Sequence, residues 1–128
     1  MSSLRRAVLS SALEPASFPE PGVAERVFRF GAAFPGFQGH FPEFPILPAV
    51  VQVLTAVMVA ETLLTRRLVF SSLENAKFLL QIGPEQNVSV QCSRRDTPSG
   101  PSVETRIQVQ EGLAASFRLV FEEAQELG

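Results

Sequence analysis

The sequence predicts an α+β fold, in which one long buried helix is wrapped by a curved antiparallel sheet. Three observations predict it. Residues 48–64 form the longest apolar segment of the chain, with apolar side chains on nearly every side of a helical wheel, which marks a helix buried in a core. Residues 103–110 alternate strictly, with Val103, Thr105, Ile107 and Val109 against Glu104, Arg106, Gln108 and Gln110, which marks a half-buried strand. The order of elements is strand, loop, one helix, then three or four strands separated by short turns, which suits antiparallel pairing.

In chain order, Leu4, Val8, Leu9 and Leu13 fit a short helix over residues 3–13 somewhat better than a strand. Pro15, Pro19 and Pro21 make residues 14–22 a loop. Residues 23–31 carry Val27, Phe28 and Phe30 among charged neighbours and read as a strand with one buried face. Residues 32–48 are too rich in proline for a ladder, because proline lacks the N–H and fixes φ, and their aromatic side chains require an ordered loop. Pro48 suits the first helical position, where a missing N–H costs nothing. Gln52, Thr55 and Thr62 form a narrow polar stripe on the helix. Strands follow over residues 68–82, broken by Gly83-Pro84, then 88–92 and 103–110, with Glu111-Gly112 as a tight hairpin connection and 114–121 as the last strand. The expected domain organisation is an N-terminal segment over 1–22, the folded domain over 23–122 and an acidic tail over 123–128.

Composition bounds the function. A chain of 128 residues with 45% hydrophobic and 19% charged residues is one globular domain. Its net charge of −2 and dispersed arginine pairs argue against nucleic acid as a partner. A single cysteine, Cys92, excludes an intramolecular disulfide, and its place in an alternating strand reads as a small buried hydrophobe. No stretch has the ~18–20 apolar residues of a membrane span, and no signal-peptide pattern opens the chain, so a cytoplasmic protein is expected. Eleven phenylalanines with no tyrosine or tryptophan give aromatic surface without polar handles, suited to a core or to an apolar cavity.

The chain stops looking generic at Gly39-His40-Phe41-Pro42, followed by Pro45-Ile46-Leu47-Pro48 and the apolar helix. This pattern, with the only histidine, resembles the hotdog-fold β-hydroxyacyl-ACP dehydratases. Glu43 and Ala49 stand where that family has glycines. The stretch Leu73-Glu74-Asn75-Ala76-Lys77-Phe78 is similar to a strand motif of the same family, and the resemblance covers roughly residues 24–121. It implies a hotdog fold and reversible dehydration of a (3R)-hydroxyacyl thioester in fatty-acid or related acyl-chain synthesis. It further implies His40 as the catalytic base and the backbone amide of Ala49, at the helix start, as donor to the thioester oxygen. Such an amide has no intrahelical partner and the helix dipole favours negative charge there. Phe37, Phe41 and Phe44, with Phe34, either wall an acyl-chain pocket or belong to the core.

One family feature is missing. The second catalytic residue is a carboxylate fourteen positions after the histidine, and that position is Leu54, placed here against the substrate. Glu61 lies two turns further on, ~10 Å away, too far to replace it and better suited to a helix end or an interface. Gln52 and Thr55 lack a pKa suited to acid catalysis, and Glu43 either approaches His40 or is a solvated loop carboxylate. Loss of such a group typically removes ~10²–10⁴ in rate. The sequence therefore supports a dehydratase-like enzyme, a hydro-lyase, or alternatively a non-catalytic acyl-thioester-binding or partner subunit of a hotdog heterodimer, with a thioesterase ranked last. The resemblance implies an acyl carrier protein or coenzyme A thioester as partner and a homodimer or higher homo-oligomer. It implies no metal or organic cofactor.

Overall fold

The computed structural model describes residues 3–37, 45–98 and 100–122. Helix α1 (Ser3–Ser10) leads to strand β1 (Ser17–Glu20) and strand β2 (Val23–Arg29). A single 3-10 turn (Pro35–Phe37) precedes helix α2 (Ala49–Leu64), and strands β3 (Val69–Phe78), β4 (Asn87–Arg94), β5 (Ser102–Val109) and β6 (Gly112–Glu122) complete the chain. All six strands form one antiparallel sheet in the order β1-β2-β4-β5-β6-β3. This is the hotdog arrangement, with one helix laid across one curved sheet.

The core follows from strand alternation. Phe28 and Phe30, Val88, Val90 and Cys92, Val103, Thr105 and Ile107, and Phe117, Leu119 and Phe121 all point inward and are buried. Against them α2 lays Val51, Ala56, Val59 and Ala60. Two alanines on that face let the helix backbone come close to β4, where the Cys92 thiol lies 3.5 Å from the Ala56 carbonyl and donates to it. Burial pushes this thiol up from its ordinary 9.0 to about 12, against a smaller opposing effect of its hydrogen bond to Thr105. The thiol is thus a packing group, as its alternation in the sequence indicates.

Several boundaries differ from sequence expectation: the first helix stops at Ser10 and β3 at Phe78, both short of the expected ends. Residues 14–22 include a strand: β1 is four residues long, carries Pro19 and is exposed throughout, which an edge strand tolerates and a central one does not. Pro48 caps α2 rather than opening it, with φ −63° and ψ 152°. The β5–β6 turn is Gln110-Glu111, because Val109 pairs with Gly112, whose φ of 137° suits glycine.

The far edge, β3, is the irregular strand. Its pairing with β6 shifts register between Phe70 and Ser72 and again between Glu74 and Lys77. Asn75, inside the second shift, has φ 52°, a left-handed conformation that asparagine tolerates better than most residues. The Asn in the Leu73–Phe78 motif therefore has a backbone reason. β3 pairs on one side only, and Val69, Phe70, Leu73 and Phe78 along it are exposed. Among the described residues no helix is long and apolar enough to cross a membrane.

Candidate functional site at the start of the long helix

The beginning of α2 is fixed by two contacts. The Leu47 N–H donates to the Ile82 carbonyl at 2.7 Å, tying the helix entry to the segment after β3. The Pro48 carbonyl accepts from the Val51 and Gln52 amides, both at 3.1 Å, starting the helical ladder. Pro48 offers no side-chain cap, and the amides of Ala49 and Val50 have no acceptor among the described residues. Two N–H groups at the positive end of a sixteen-residue helix are thus left open.

Ala49 borders a cleft of about 540 Å³. One wall is Ile46, Leu47, Pro48 and Ala49, and the other is Phe78 at the end of β3 with Leu79, Leu80 and Gln81 beyond it. Gln52, one turn into the helix, reaches the same cleft. It is only 5% exposed. Its Nε2 donates to the Leu47 carbonyl at 3.1 Å, and its Oε1 is buried without a partner among the described residues. The arrangement offers donors for a developing oxyanion, one idle acceptor, and apolar walls for a chain.

The residues singled out from the sequence are divided between the cleft and the core. Ala49 is the first residue of α2 and lines the cleft. Phe37 is buried in the core, edge-on to Phe34 at 5.8 Å, and Phe34 meets Phe30 at 4.8 Å. Gly36 is required there, because a Cβ would run into the Phe34 ring. Leu54 is partly buried against the core. Neither Phe37 nor Leu54 is among the residues lining the cleft. His40, Phe41 and Phe44, and with them Glu43, lie outside the described residues. Among the described residues no group of three or more His, Cys, Asp or Glu side chains could hold a metal ion.

Glu61 belongs to the other end of the helix, ~18 Å from Ala49 at ~1.5 Å per residue. Its carboxylate, 10% exposed, accepts from Arg5 at 2.8 Å, from the Leu68 amide at 3.1 Å and from Arg67 at 3.3 Å. It joins α1, the end of α2 and the entry to β3, which is the helix-end role expected from its spacing. A second hollow, about 390 Å³, lies beside it, with Arg5, Arg26, Arg66 and Arg67 in its wall.

Sequence reasoning missed the inward orientation of Gln52 and the second wall of the cleft. The signal for Gln52 was present: a glutamine inside an otherwise apolar helix. A helical wheel places such a residue outward only when the rest of the helix surface is covered, and Val50 on the opposite side is 71% exposed.

A model of the ApeI-like dehydratases matches residues 21–118. The chain belongs to the ApeI-like dehydratase family. The match takes in β2, α2, β3, β4 and β5 whole and so contains the cleft. Among relatives of this ApeI-like chain by sequence, the 3-hydroxyacyl-(acyl-carrier-protein) dehydratase FabZ of Gluconobacter oxydans is 33% identical over 69 residues, 47% of this chain and 41% of that protein. The chain therefore spans less than half of that relative's length. In three dimensions the ApeI-like fold matches a chain of the dehydratase heterocomplex ApeI:P from Xenorhabdus doucetiae, with a TM-score of 0.75, 23% identity, and 86% and 95% of the two chains covered. It also matches thioesterase superfamily member 2 of zebrafish, with a TM-score of 0.66, 11% identity, and 89% and 81% coverage. At these identities the structural likenesses establish the hotdog fold and nothing finer.

Proposed function

We propose that the protein is a dehydratase acting on a 3-hydroxyacyl thioester, carried by an acyl carrier protein or coenzyme A, in acyl-chain synthesis. The observation that carries this reading is the open start of α2: amides without an acceptor among the described residues at a helix N-terminus whose first residue, Ala49, lines an apolar cleft, in a family of dehydratases. In the proposed mechanism the amide of Ala49 holds the thioester oxygen as charge builds on it. An alanine at this position supplies the same N–H as a glycine. His40, nine residues earlier, takes the α-proton and returns it to the leaving hydroxyl. Phe41 and Phe44 flank the acyl chain in this reading, while Phe37 and Leu54 stay with the core behind the cleft. The relative in Gluconobacter oxydans, named for 3-hydroxyacyl groups on a carrier protein, supports the choice of substrate class.

The catalytic unit in this reading is an assembly. The free edge of β3 and the bare flank of α2 at Val50 suit pairing with a second subunit, which would remove an exposed strand edge. A second reading rests on one residue. Leu54 replaces the helix carboxylate that hydroxyacyl dehydratases of this fold are expected to carry, and the similar chain from Xenorhabdus doucetiae comes from a heterocomplex. A partner subunit with a carboxylate would then complete the site.

The deciding experiment follows enoyl-thioester absorbance from (3R)-hydroxyacyl-ACP with wild type and His40→Ala. Turnover that disappears in the variant supports the enzyme. No turnover from either, across several chain lengths, removes it and leaves the partner-subunit reading, which a pull-down for a second hotdog chain then tests.

A further inference from the structure

The buried amide of Gln52 has half of its hydrogen-bonding capacity idle. Its Nε2 is committed to the Leu47 carbonyl at 3.1 Å, which orients the group and leaves Oε1 as a pure acceptor. Oε1 is buried and unpartnered among the described residues. Buried polar atoms in folded proteins are almost always paired, so a lone buried acceptor on a residue that lines a cleft marks a place for a donor that arrives with a ligand. The neighbouring groups narrow the ligand. The open amide of Ala49 needs an acceptor, Oε1 needs a donor, and the surrounding walls are Ile46, Leu47 and Phe78 to Leu80. Gln52 comes three residues after Ala49, ~4.5 Å along the axis. A molecule that fits carries a carbonyl oxygen, a hydroxyl a few ångströms away and an apolar tail.

We infer that Gln52 Oε1 accepts a hydrogen bond from the 3-hydroxyl of the acyl chain, which makes Gln52 the residue that separates hydroxyacyl thioesters from their saturated and dehydrated counterparts. This rests on the acyl-thioester reading above. The enoyl product has lost the hydroxyl, so it leaves Oε1 unpaired again and is released more readily than the substrate. Hydroxyl discrimination is strong where a site is built to hydrogen-bond the group, because the partner is otherwise left buried and unsatisfied. Two alternatives to this role make different demands. A glutamine that only staples Leu47 would matter to folding and not to ligand choice, and one that meets the carrier arm would matter equally to every acyl chain.

The test measures binding of unreactive ketone isosteres, with CH₂ in place of the thioester sulfur, on a pantetheine carrier. The 3-hydroxyacyl, 3-fluoroacyl and saturated forms of one chain length are compared on the full chain. Wild type is expected to favour the 3-hydroxyacyl form by roughly tenfold over the other two. Gln52→Met, close to isosteric, is expected to bind all three alike while keeping wild-type affinity for the saturated form. Its thermal midpoint without ligand should stay near that of wild type, since the change removes an unpaired buried acceptor but also takes the Nε2 donor from the Leu47 carbonyl. Retention of the preference in Gln52→Met overturns the inference. So does an equal loss for all three ligands, which would assign Oε1 to an amide of the pantetheine arm. The fluoro ligand keeps the question answerable on wild type alone if Gln52→Met does not fold: equal affinity for hydroxyl and fluorine overturns the assignment. Binding of none of the three overturns the underlying acyl-thioester reading itself, a different result from binding without discrimination.

Discussion

The two ends of α2 are built differently. The C-terminal end is closed: Glu61 gathers Arg5, Arg67 and the Leu68 amide, and Thr65 ends the helix with its N–H on the Glu61 carbonyl. The N-terminal end is open among the described residues, with no side-chain cap, two amides without an acceptor and an unpaired buried oxygen on Gln52. One helix thus separates two tasks. The closed end locates α2 against α1 and β3, and in the proposed function the open end keeps polar groups for a ligand. An acidic residue on the helix is consequently no guide to where chemistry occurs, since Glu61 serves the closed end.

The sharpest way to break this contrast is Ala49→Pro. Proline fits the first helical position, and Pro48 already has the extended ψ of 152° that a following proline requires, so the fold should stay within ~1 kcal/mol of wild type. The substitution deletes one donor, and turnover of a hydroxyacyl thioester should fall ~10²–10³-fold. Steady-state kinetics beside a urea titration checks both halves; unchanged turnover would mean that the open amide is idle in function too.

The reverse experiment is Glu61→Ala. It removes the carboxylate that the largely buried Arg5 guanidinium, 17% exposed, and the Leu68 amide both donate to. The expected cost is ~2–4 kcal/mol in denaturant unfolding, with ligand affinity of the surviving folded protein unchanged. A loss of affinity without loss of stability would exchange the roles of the two ends.

Cys92, under the middle of α2, tests the helix between its ends. Its folded pKa lies above its unfolded value, so its contribution is complete below about pH 9 and is lost as pH rises toward about 12. Unfolding midpoints should decline over that window in wild type and more shallowly in Cys92→Ala. The chain has no tyrosine, which leaves few other groups to titrate there.

The smallest effect is at the closed end itself. Thr65 adopts φ 56° and ψ 38°, a left-handed cap unfavourable to a β-branched residue. Thr65→Gly should raise stability by ~0.5–1 kcal/mol in thermal unfolding and leave binding unaltered.

Much of the scaffold was legible because it is periodic. The apolar run gave α2 to within a residue, and the alternation of Val103 to Val109 gave β5. β1 was not legible, because Pro19 sits in its middle and no residue of it is buried, so neither period nor composition marks it. The Glu61 network was visible only as a helix-end role, since its main partner Arg5 is 56 positions away and no local pattern encodes that pairing. For the site, the Ala49 amide could be placed from the helix boundary alone. Gln52 carried a signal, a glutamine in an otherwise apolar helix, but its direction depends on which flank stays uncovered, here the one at Val50. The second wall at Phe78 to Leu80 depends on how β3 meets the helix entry, which is tertiary geometry.

The place of β3 in the sheet also sets a timetable. Its sole neighbour is the last strand, and Val69 at its start pairs with Glu122, close to the end of the described chain. β4, β5 and β6 pair with their neighbours in sequence and can zip up locally, whereas β3 must wait for a contact of large sequence separation. During synthesis at ~5–20 residues per second, β3 spends seconds on the ribosome with both edges bare. A chain cut short before β6 never escapes that state: its most apolar exposed strand has no ladder to join, and association with other nascent chains becomes its fastest exit.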